Sequence, residues 1–122
     1  MTKSYVFDTY ALMEVVLGNQ AFAQYLESSQ MIINDFIFAE FCYSLLKRYP
    51  AELMAFAEKF AGAISPLSAE EIMKATKFRY EHKKKDLSTT DCVSYVQAKE
   101  LGIPFLTGDK EFEGLAGVEF VR

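Results

Sequence analysis

Residues 4–10 read Ser-Tyr-Val-Phe-Asp-Thr-Tyr, and this stretch sets the expectation for the whole chain. Residues 4–7 favour a short strand, because aromatic and β-branched side chains predominate there. Asp8 and Thr9 follow at once, and both side chains are favoured at the start of a helix. A strand that passes directly into a helix is the repeating unit of an α/β fold with a parallel sheet.

The same alternation of strands and helices continues to the end of the chain. The strands are continuous apolar runs, which is typical of a parallel sheet that helices cover on both faces. The prediction is a single α/β domain over residues 1–122 with a mostly parallel central sheet flanked by helices on both faces. We expect helices over residues 10–17 and 20–27, a strand over 31–33, a helix from Asn34 to about Arg48, a helix over 51–60, a short strand at 63–65, helices opened by capping boxes at 68–71 and 88–91, and strands over 104–106 and 118–121.

The helix opened at residue 68 has an apolar side. A stripe of this kind predicts the side that packs against the rest of a domain. Its members are Ala69, Ile72, Met73, Thr76 and Tyr80.

The composition fits a protein with an apolar core and no disulfides. Eleven Phe and seven Tyr supply large side chains for that core, and the only cysteines are Cys42 and Cys92. Two cysteines in apolar helical patterns are interpreted as reduced core residues of a cytoplasmic protein. No apolar run approaches the roughly 18–20 residues of a membrane span, and the first residues do not resemble a targeting sequence.

The net charge of −4 argues against a module that binds nucleic acid through its own basic surface. It does not argue against a site that holds divalent cations, since those ions supply positive charge themselves. Six of the thirteen basic residues fall between Lys74 and Lys85. This cluster is either a solvated helix end or a patch that faces the substrate.

Four acidic residues are expected at one edge of the sheet. Asp8 follows the first strand, and Asp109 follows the strand over residues 104–106. Glu40 lies in the second turn of the helix after the second strand, and Asp91 lies in the first turn of the last helix. The carboxyl ends of parallel strands and the helix N-termini that follow them share an edge, where α/β proteins form their sites. Carboxylates gathered there would repel one another unless cations lay between them.

Each acid also has a purely structural interpretation. Asp8 could cap a helix, Asp91 closes a capping box, and Asp109 could be a turn residue beside Gly108. Glu40 stands among apolar residues, yet it could belong to a solvent-facing stripe. The shared location of the four acids is what favours a common function.

The acids predict a particular chemistry. Carboxylates without neighbouring His or Cys suit hard cations, namely Mg²⁺ or Mn²⁺. Such an ion lowers the pKa of a bound water and stabilises the leaving oxygen during in-line attack on a phosphate. The chain offers no convincing side-chain nucleophile, and its single histidine, His82, is interpreted as a surface residue at a helix end.

Four short stretches carry a recognisable pattern. They are Asp8-Thr9 after the first strand, a lone Glu40 in an apolar helix, Leu87-Ser-Thr-Thr-Asp91 before a helix, and Phe105-Leu-Thr-Gly-Asp109-Lys-Glu111-Phe112. Their order resembles the PIN-domain ribonucleases, especially the short toxins of the VapBC toxin–antitoxin type. The resemblance covers essentially the whole chain and implies a PIN-like fold and a metal-dependent endoribonuclease.

The resemblance also implies which residues form the site. The catalytic acids would be Asp8, Glu40, Asp91 and Asp109. Asp8, Asp91 and Asp109 would bind Mg²⁺ or Mn²⁺ directly, whereas Glu40 would orient water or reach the metal through water.

Further residues would support the site. Thr107 matches a position that commonly helps by hydrogen bonding, and Thr9 is a second supporting candidate. Glu111 stands where the family often has another Asp, and its longer side chain leaves a role in metal binding open. The residues expected to guide the RNA backbone are Arg79, Lys83, Lys84 and Lys85.

The expected partners follow from the same resemblance. They are an RNA substrate, a small VapB-type antitoxin that inserts a segment across the acidic groove, and a second copy of the chain in a homodimer, with no membrane involved. Tyr5, Tyr10 and Phe112 could stack on RNA bases or pack in the core, and the sequence leaves both interpretations open.

Other functions are compatible with parts of the pattern. A phospho-receiver domain has a similar size and an acidic Mg²⁺ pocket, but it needs paired acids after the first strand, and only Asp8 stands there. A catalytically silent PIN-like scaffold that binds RNA or protein is a second alternative. A nuclease that matures RNA without a toxin role is a third.

Overall fold

The structure is a computed structural model that describes residues 2–122. Its strands form one four-stranded sheet in the order β2-β1-β3-β4, and each neighbouring pair is parallel. The prediction of a parallel central sheet is confirmed. The strands are β1 (Lys3–Phe7), β2 (Ser29–Ile32), β3 (Phe105–Thr107) and β4 (Val118–Phe120).

Six helices connect the strands within the described residues, close to the predicted positions. The predicted helix over residues 51–60 begins with a short 3-10 turn, where a proline fits the first position. The predicted strand at residues 63–65 is reduced to one parallel bridge between Ile33 and Ile64. No helix in this part of the chain is long and apolar enough to cross a membrane. The helices are α1 (Thr9–Val16), α2 (Gln20–Ser28), α3 (Asp35–Arg48), α4 (Leu53–Ala61), α5 (Ala69–Glu81) and α6 (Thr89–Leu101).

Helices cover both faces of the sheet. Side chains alternate between the two faces along a strand, so Tyr5 and Val6 of β1 point to opposite sides. Tyr5 packs edge-on against Tyr25 of α2, with ring centroids 5.2 Å apart. Phe105 lies opposite Val6 in the strand register and packs against Tyr95 of α6, with ring centroids 6.2 Å apart. The sheet is therefore enclosed between two helical layers, as predicted.

Helix α5 turns a different side inward than the sequence predicts. Met73 and Tyr80, which belong to the predicted packing stripe, are 72% and 70% exposed. The packed side contains the buried Ala75 and the half-buried Phe78, whose ring centroid lies 5.1 Å from that of Tyr95 in α6. The prediction was wrong because it weighted large apolar side chains, whereas a small residue such as Ala75 permits close approach of the two helices.

The carboxyl ends of the strands meet at one edge of the sheet, as in other parallel sheets. Asp8 directly follows β1, Asn34 comes shortly after β2, and Asp109 comes shortly after β3. Strand β3 extends to Thr107, one residue beyond its predicted end. Thr107 is therefore held in the sheet, beside the first residue that follows β1.

Candidate metal centre at the carboxyl edge of the sheet

Asp8 is a deeply buried carboxylate at this edge. It is 3% exposed, and its backbone N–H donates to the carbonyl of Leu106 at 3.0 Å. Its Oδ2 accepts a hydrogen bond from the Thr107 hydroxyl at 2.7 Å. The side chain makes no hydrogen bond that caps α1, so its burial is not explained by a capping role.

Thr107 connects Asp8 to Asp109. The backbone N–H of Asp109 donates to Thr107 Oγ1 at 3.0 Å, while the same hydroxyl donates to Asp8. Asp109 Oδ1 in turn accepts from the N–H of Glu111 at 3.0 Å, which fixes the turn after β3. One buried hydroxyl thus sets the relative positions of two acids on neighbouring strands.

Asp91 and Glu40 reach the same edge from helices. Asp91 closes the capping box of α6, because its Oδ2 accepts from the Ser88 N–H at 2.8 Å and its own N–H donates to Ser88 Oγ at 3.0 Å. Glu40 is half-buried in the second turn of α3. The predicted cap at Asp91 is present, but a carboxylate has about four acceptor sites on two oxygens, so capping leaves room for a cation.

The four acids influence one another electrostatically. Burial is the main cause that raises the pKa of Asp8 to about 7, with the Thr107 hydrogen bond opposing the shift and the charges of Asp91 and Asp109 adding to it. Burial likewise raises the pKa of Asp91, and repulsion from Asp109 and Glu40 contributes. Carboxylates in this arrangement favour a cation, because it relieves both the loss of water and the mutual repulsion.

The residues of this edge fit a hard divalent cation in their chemistry. They offer carboxylate and hydroxyl oxygens, the ligands that Mg²⁺ and Mn²⁺ prefer. In residues 2–122, Thr9 Oγ1 is the one buried side-chain nitrogen or oxygen without a hydrogen-bond partner, and Thr9 adjoins Asp8. Across the same residues, no three acidic, histidine or cysteine side chains stand close enough to share one ion. An ion here would be held by one or two carboxylates together with water, as is usual for Mg²⁺.

Comparison with known proteins identifies the family. The family model of the PIN domain matches residues 5–118, which is nearly the whole chain. The chain belongs to the PIN domain family. No match to this PIN domain was found among curated proteins.

Solved structures share the fold of this PIN domain. A toxin–antitoxin complex from Klebsiella pneumoniae is 22% identical, with 93% of this chain and 94% of that chain covered and a TM-score of 0.78. VapBC2 from Rickettsia felis, bound to a DNA fragment from its promoter, is 16% identical, with 97% of each chain covered and a TM-score of 0.73. DNA-bound VapBC from Salmonella typhimurium is 21% identical, with 99% and 98% covered and a TM-score of 0.71.

Arg79 is engaged within the PIN domain. Its Nε donates to the carbonyl of Leu87 at 3.1 Å, and its guanidinium also donates to Thr89 Oγ1 at 2.8 Å. Arg79 therefore ties the end of α5 to the start of α6. This contact gives the side chain a structural role beside the one predicted for RNA.

The three lysines that follow Arg79 differ in their surroundings. Lys85 Nζ donates to the carbonyl of Glu111 at 3.0 Å and so braces the turn after β3. Lys83 and Lys84 are exposed, and Lys83 Nζ lies 4.6 Å from the ring centroid of Tyr80. Glu111 contributes its backbone N–H and carbonyl to this region, and both groups are hydrogen-bonded.

Among the aromatic residues considered for base stacking, Tyr5 and Phe112 are buried, whereas Tyr10 is 41% exposed. The Tyr10 ring packs closely over Gly108. A Cβ placed at Gly108 would lie 2.4 Å from a Tyr10 ring carbon and 2.7 Å from the carbonyl oxygen of Val121. A glycine is required at position 108 because the Tyr10 ring and the chain after β4 both lie close to its backbone.

His82 lies at the end of α5, as predicted. Its ring stacks on that of Phe78, with centroids 4.1 Å apart, and Nδ1 lies 2.9 Å from the Phe78 carbonyl oxygen. The ring is half-buried against Phe78, whereas the sequence predicted a surface residue.

A buried polar cluster beside the acids went unrecognised in the sequence. Asn34 was identifiable there only as the cap of α3, yet it is fully buried and bonded to Ser94 and Gln97 of α6. A signal was present, since Ser94 and Gln97 are polar residues three positions apart in an otherwise apolar stretch, residues 92–98. Residues with this spacing lie on one helix face.

Proposed function

We propose that this PIN domain is a metal-dependent endoribonuclease, formed by residues 1–122 as a single catalytic domain. The observation that carries the proposal is the burial of the Asp8 carboxyl beside two other acids. Burial, together with the charges of Asp91 and Asp109, raises the pKa of Asp8 to about 7. A charged carboxylate is unfavourable at such a position unless a cation accompanies it. Asp8, Asp91 and Asp109 are the proposed metal ligands, with one or two of them in direct contact with an ion and the others bound to it through water. Glu40 is proposed to orient the attacking water.

The chain's own residues position the reacting groups. When bound, Mg²⁺ or Mn²⁺ supplies a more acidic water and compensates charge on the scissile phosphate. The Thr107 hydrogen bond favours the ionised form of Asp8 and so opposes the effect of burial. Glu40 accepts a hydrogen bond from the attacking water. Attack by water forms a new P–O bond and releases one proton to the solvent. The bond to the leaving ribose oxygen breaks as that oxygen takes up a proton from the solvent. Lys83 and Lys84 attract the RNA backbone electrostatically.

Cleavage of a labelled RNA by purified protein tests the proposal. We expect cleavage with Mg²⁺ or Mn²⁺, none with EDTA, and losses of at least about a hundredfold in Asp8→Asn and Asp91→Asn, because removing metal ligands impairs the chemistry itself. Glu58→Gln, which removes an exposed acid of α4, is the matched control and should retain activity. A wild-type protein that binds metal but cuts no RNA would instead support a silent scaffold.

The proposed biological role is that of a VapC-type toxin in the cytoplasm. It is supported by the similarity in fold to chains of toxin–antitoxin complexes and by two free cysteines, which are typical of a reducing compartment. Expression of the chain alone in a bacterial host should arrest growth, whereas Asp8→Asn should not. Growth that continues despite measurable cleavage in vitro would favour an RNA-maturation role.

The proposed partners are a VapB-type antitoxin and a second copy of the chain. For the antitoxin, a surface pocket of about 310 Å³ is lined by Thr9 and Tyr10 of α1, by Leu17 at its C-terminal end and by Arg48 of α3. Copurification of the neighbouring gene product, and its loss in Leu17→Glu, would test this contact.

For the homodimer, α3 and α4 carry the exposed apolar side chains Tyr43, Leu46 and Met54. Sedimentation of the purified chain measures the association.

A further inference from the structure

A buried hydrogen-bond network joins α3, which carries Glu40, to α6, which carries Asp91. At its centre is Asn34, whose Nδ2 donates to Ser94 Oγ at 3.0 Å and to Gln97 Oε1 at 2.8 Å. Both amide hydrogens of Asn34 are thereby used. In residues 2–122, no other hydrogen bond between two side chains connects α3 or its cap to α6.

The same asparagine also begins α3. Its Oδ1 accepts a hydrogen bond from the N–H of Ile37 at 2.9 Å, which is the usual contact of a helix cap. Gln97 reaches the chain just before Asn34, with Nε2 at 3.5 Å from the Ile33 carbonyl oxygen. Any displacement of the first turn of α3 along α6 therefore breaks several contacts at once.

All three side chains are buried, with no part of Asn34 or Ser94 exposed. A buried amide that loses its partner is unfavourable, because it cannot exchange that partner for water. The network consequently permits one arrangement of α3 against α6. An apolar contact at this place would tolerate sliding, whereas these directional contacts do not.

Along each of the two helices, the network lies close to one of the acids. Ser94 is three residues after Asp91, about one turn further along the same face of α6, and Glu40 is six residues after Asn34, less than two turns into α3. Glu40 and Asp91 carry like charges within the first two turns of α3 and α6, the two helices that the network joins. Repulsion between two carboxylates would separate the helices, and the network opposes that separation.

We infer that Asn34 is a positioning residue of the candidate metal site, which fixes Glu40 relative to Asp91 through its contacts with Ser94 and Gln97. The inference rests on the proposed function, since it takes these acids to serve a bound cation. Residues that orient metal ligands typically change metal affinity about 10–100-fold when they are replaced.

Two variants remove the network from opposite sides. Asn34→Thr keeps a side-chain oxygen that can cap α3 but loses both amide donors. Gln97→Met removes one acceptor on α6, leaves the cap untouched and provides a second test should the first variant fold poorly. The measured quantities are the Kd for Mn²⁺ by titration calorimetry, the Tm without metal, and RNA cleavage.

We expect Asn34→Thr to raise the Kd for Mn²⁺ about tenfold and Gln97→Met to raise it in the same direction. The double variant should bind no more weakly than Asn34→Thr alone, because the two changes remove the same network. Phe60→Leu, at a buried position of α4, is the control for stability and should leave the Kd unchanged despite a lower Tm.

The outcomes separate this inference from the proposed function. If wild-type protein binds Mn²⁺ and cuts RNA while both network variants keep the wild-type Kd, the inference is overturned and the nuclease proposal stands. An equal rise in Kd for Phe60→Leu would also overturn it, since the effect would then come from stability alone. Wild-type protein that binds no Mn²⁺ would overturn both.

Discussion

Thr107 donates a hydrogen bond of 2.7 Å to Asp8, although 99 residues separate the two in the sequence. The contact joins the ends of β1 and β3, two adjacent strands of the sheet. It lowers the pKa of Asp8, whereas burial raises that pKa more strongly. Thr107 therefore limits the cost of holding a charged carboxylate where water is largely excluded.

Replacement of this hydroxyl should move the pH dependence of cleavage. In Thr107→Val the pKa of Asp8 should rise, so the acidic limb of the profile of kcat/KM should shift to higher pH. The rate at pH 7 should fall about tenfold, the scale expected for loss of a hydrogen bond to a charged group. Thr107→Ser retains the donor and should keep the wild-type profile. Identical profiles for the valine and serine variants would contradict the assigned role.

Asp8 should make the metal-free protein less stable as the pH rises. The unfolded chain releases this proton near pH 4, but the folded chain holds it until about pH 7. Between those values the folded state binds more protons, so the contribution of Asp8 to the free energy of unfolding is full below about pH 4 and is lost as the pH approaches 7.

Asp8→Asn tests this pH dependence. Without metal at pH 8, the variant should be more stable than the wild type by a few kcal/mol, and the advantage should vanish near pH 4. Thermal unfolding across this pH range, in the presence of EDTA, measures the difference. A variant that is equally destabilised at both pH values would show that burial of the charge is not the dominant effect.

Gly108→Ala should destabilise the fold. The added Cβ would meet the Tyr10 ring at 2.4 Å and the Val121 carbonyl oxygen at 2.7 Å, and the second of these is backbone. We expect the free energy of unfolding to fall by about 1–3 kcal/mol. Gly62→Ala is the matched control, since a Cβ there meets nothing within 4 Å and the residue has helical φ and ψ. Equal stabilities of the two variants would contradict the close contact.

Arg79 and Lys84 should differ in what their replacement changes. Arg79→Gln breaks the contacts with Leu87 and Thr89 and should lower the Tm. Lys84→Gln should leave the Tm unchanged but weaken RNA binding. The slope of the logarithm of the binding constant against the logarithm of the salt concentration should become smaller in magnitude by about one. Binding of a catalytically inactive variant to RNA at several salt concentrations measures this. Salt dependence that is unaltered in Lys84→Gln would remove Lys84 from the RNA-binding surface.

Much of the fold could be predicted from the sequence, because local signals and the global fold agree. The capping boxes at Ser68 and Ser88 are both formed, and Asn34 begins α3 as expected. The packed side of α5 was predicted incorrectly because its packing depends on Ala75, whose small size is not visible as a hydrophobic signal.

The location of the acids could be predicted, whereas their immediate environment could not. Asp8 and Asp109 stand after strands, and parallel pairing brings strand ends together. The link through Thr107 depends on which strands are neighbours, and the sequence does not specify that β3 lies beside β1. The engagement of Arg79 and the burial of Asn34 likewise arise from tertiary packing between helices.

We propose that a cation held by the buried Asp8 and by the half-buried acids beside it activates water to cut RNA. Analysis of the product ends tests it most directly, because a water nucleophile does not require the ribose 2′-hydroxyl. With Mg²⁺ present, the wild-type protein should leave no 2′,3′-cyclic phosphate and should also cut a strand with 2′-O-methyl at the scissile position. EDTA should abolish the cutting of both strands, and the Asp8→Asn variant should cut neither. Cleavage that persists in EDTA, or that yields cyclic phosphate ends, would contradict the metal-dependent mechanism.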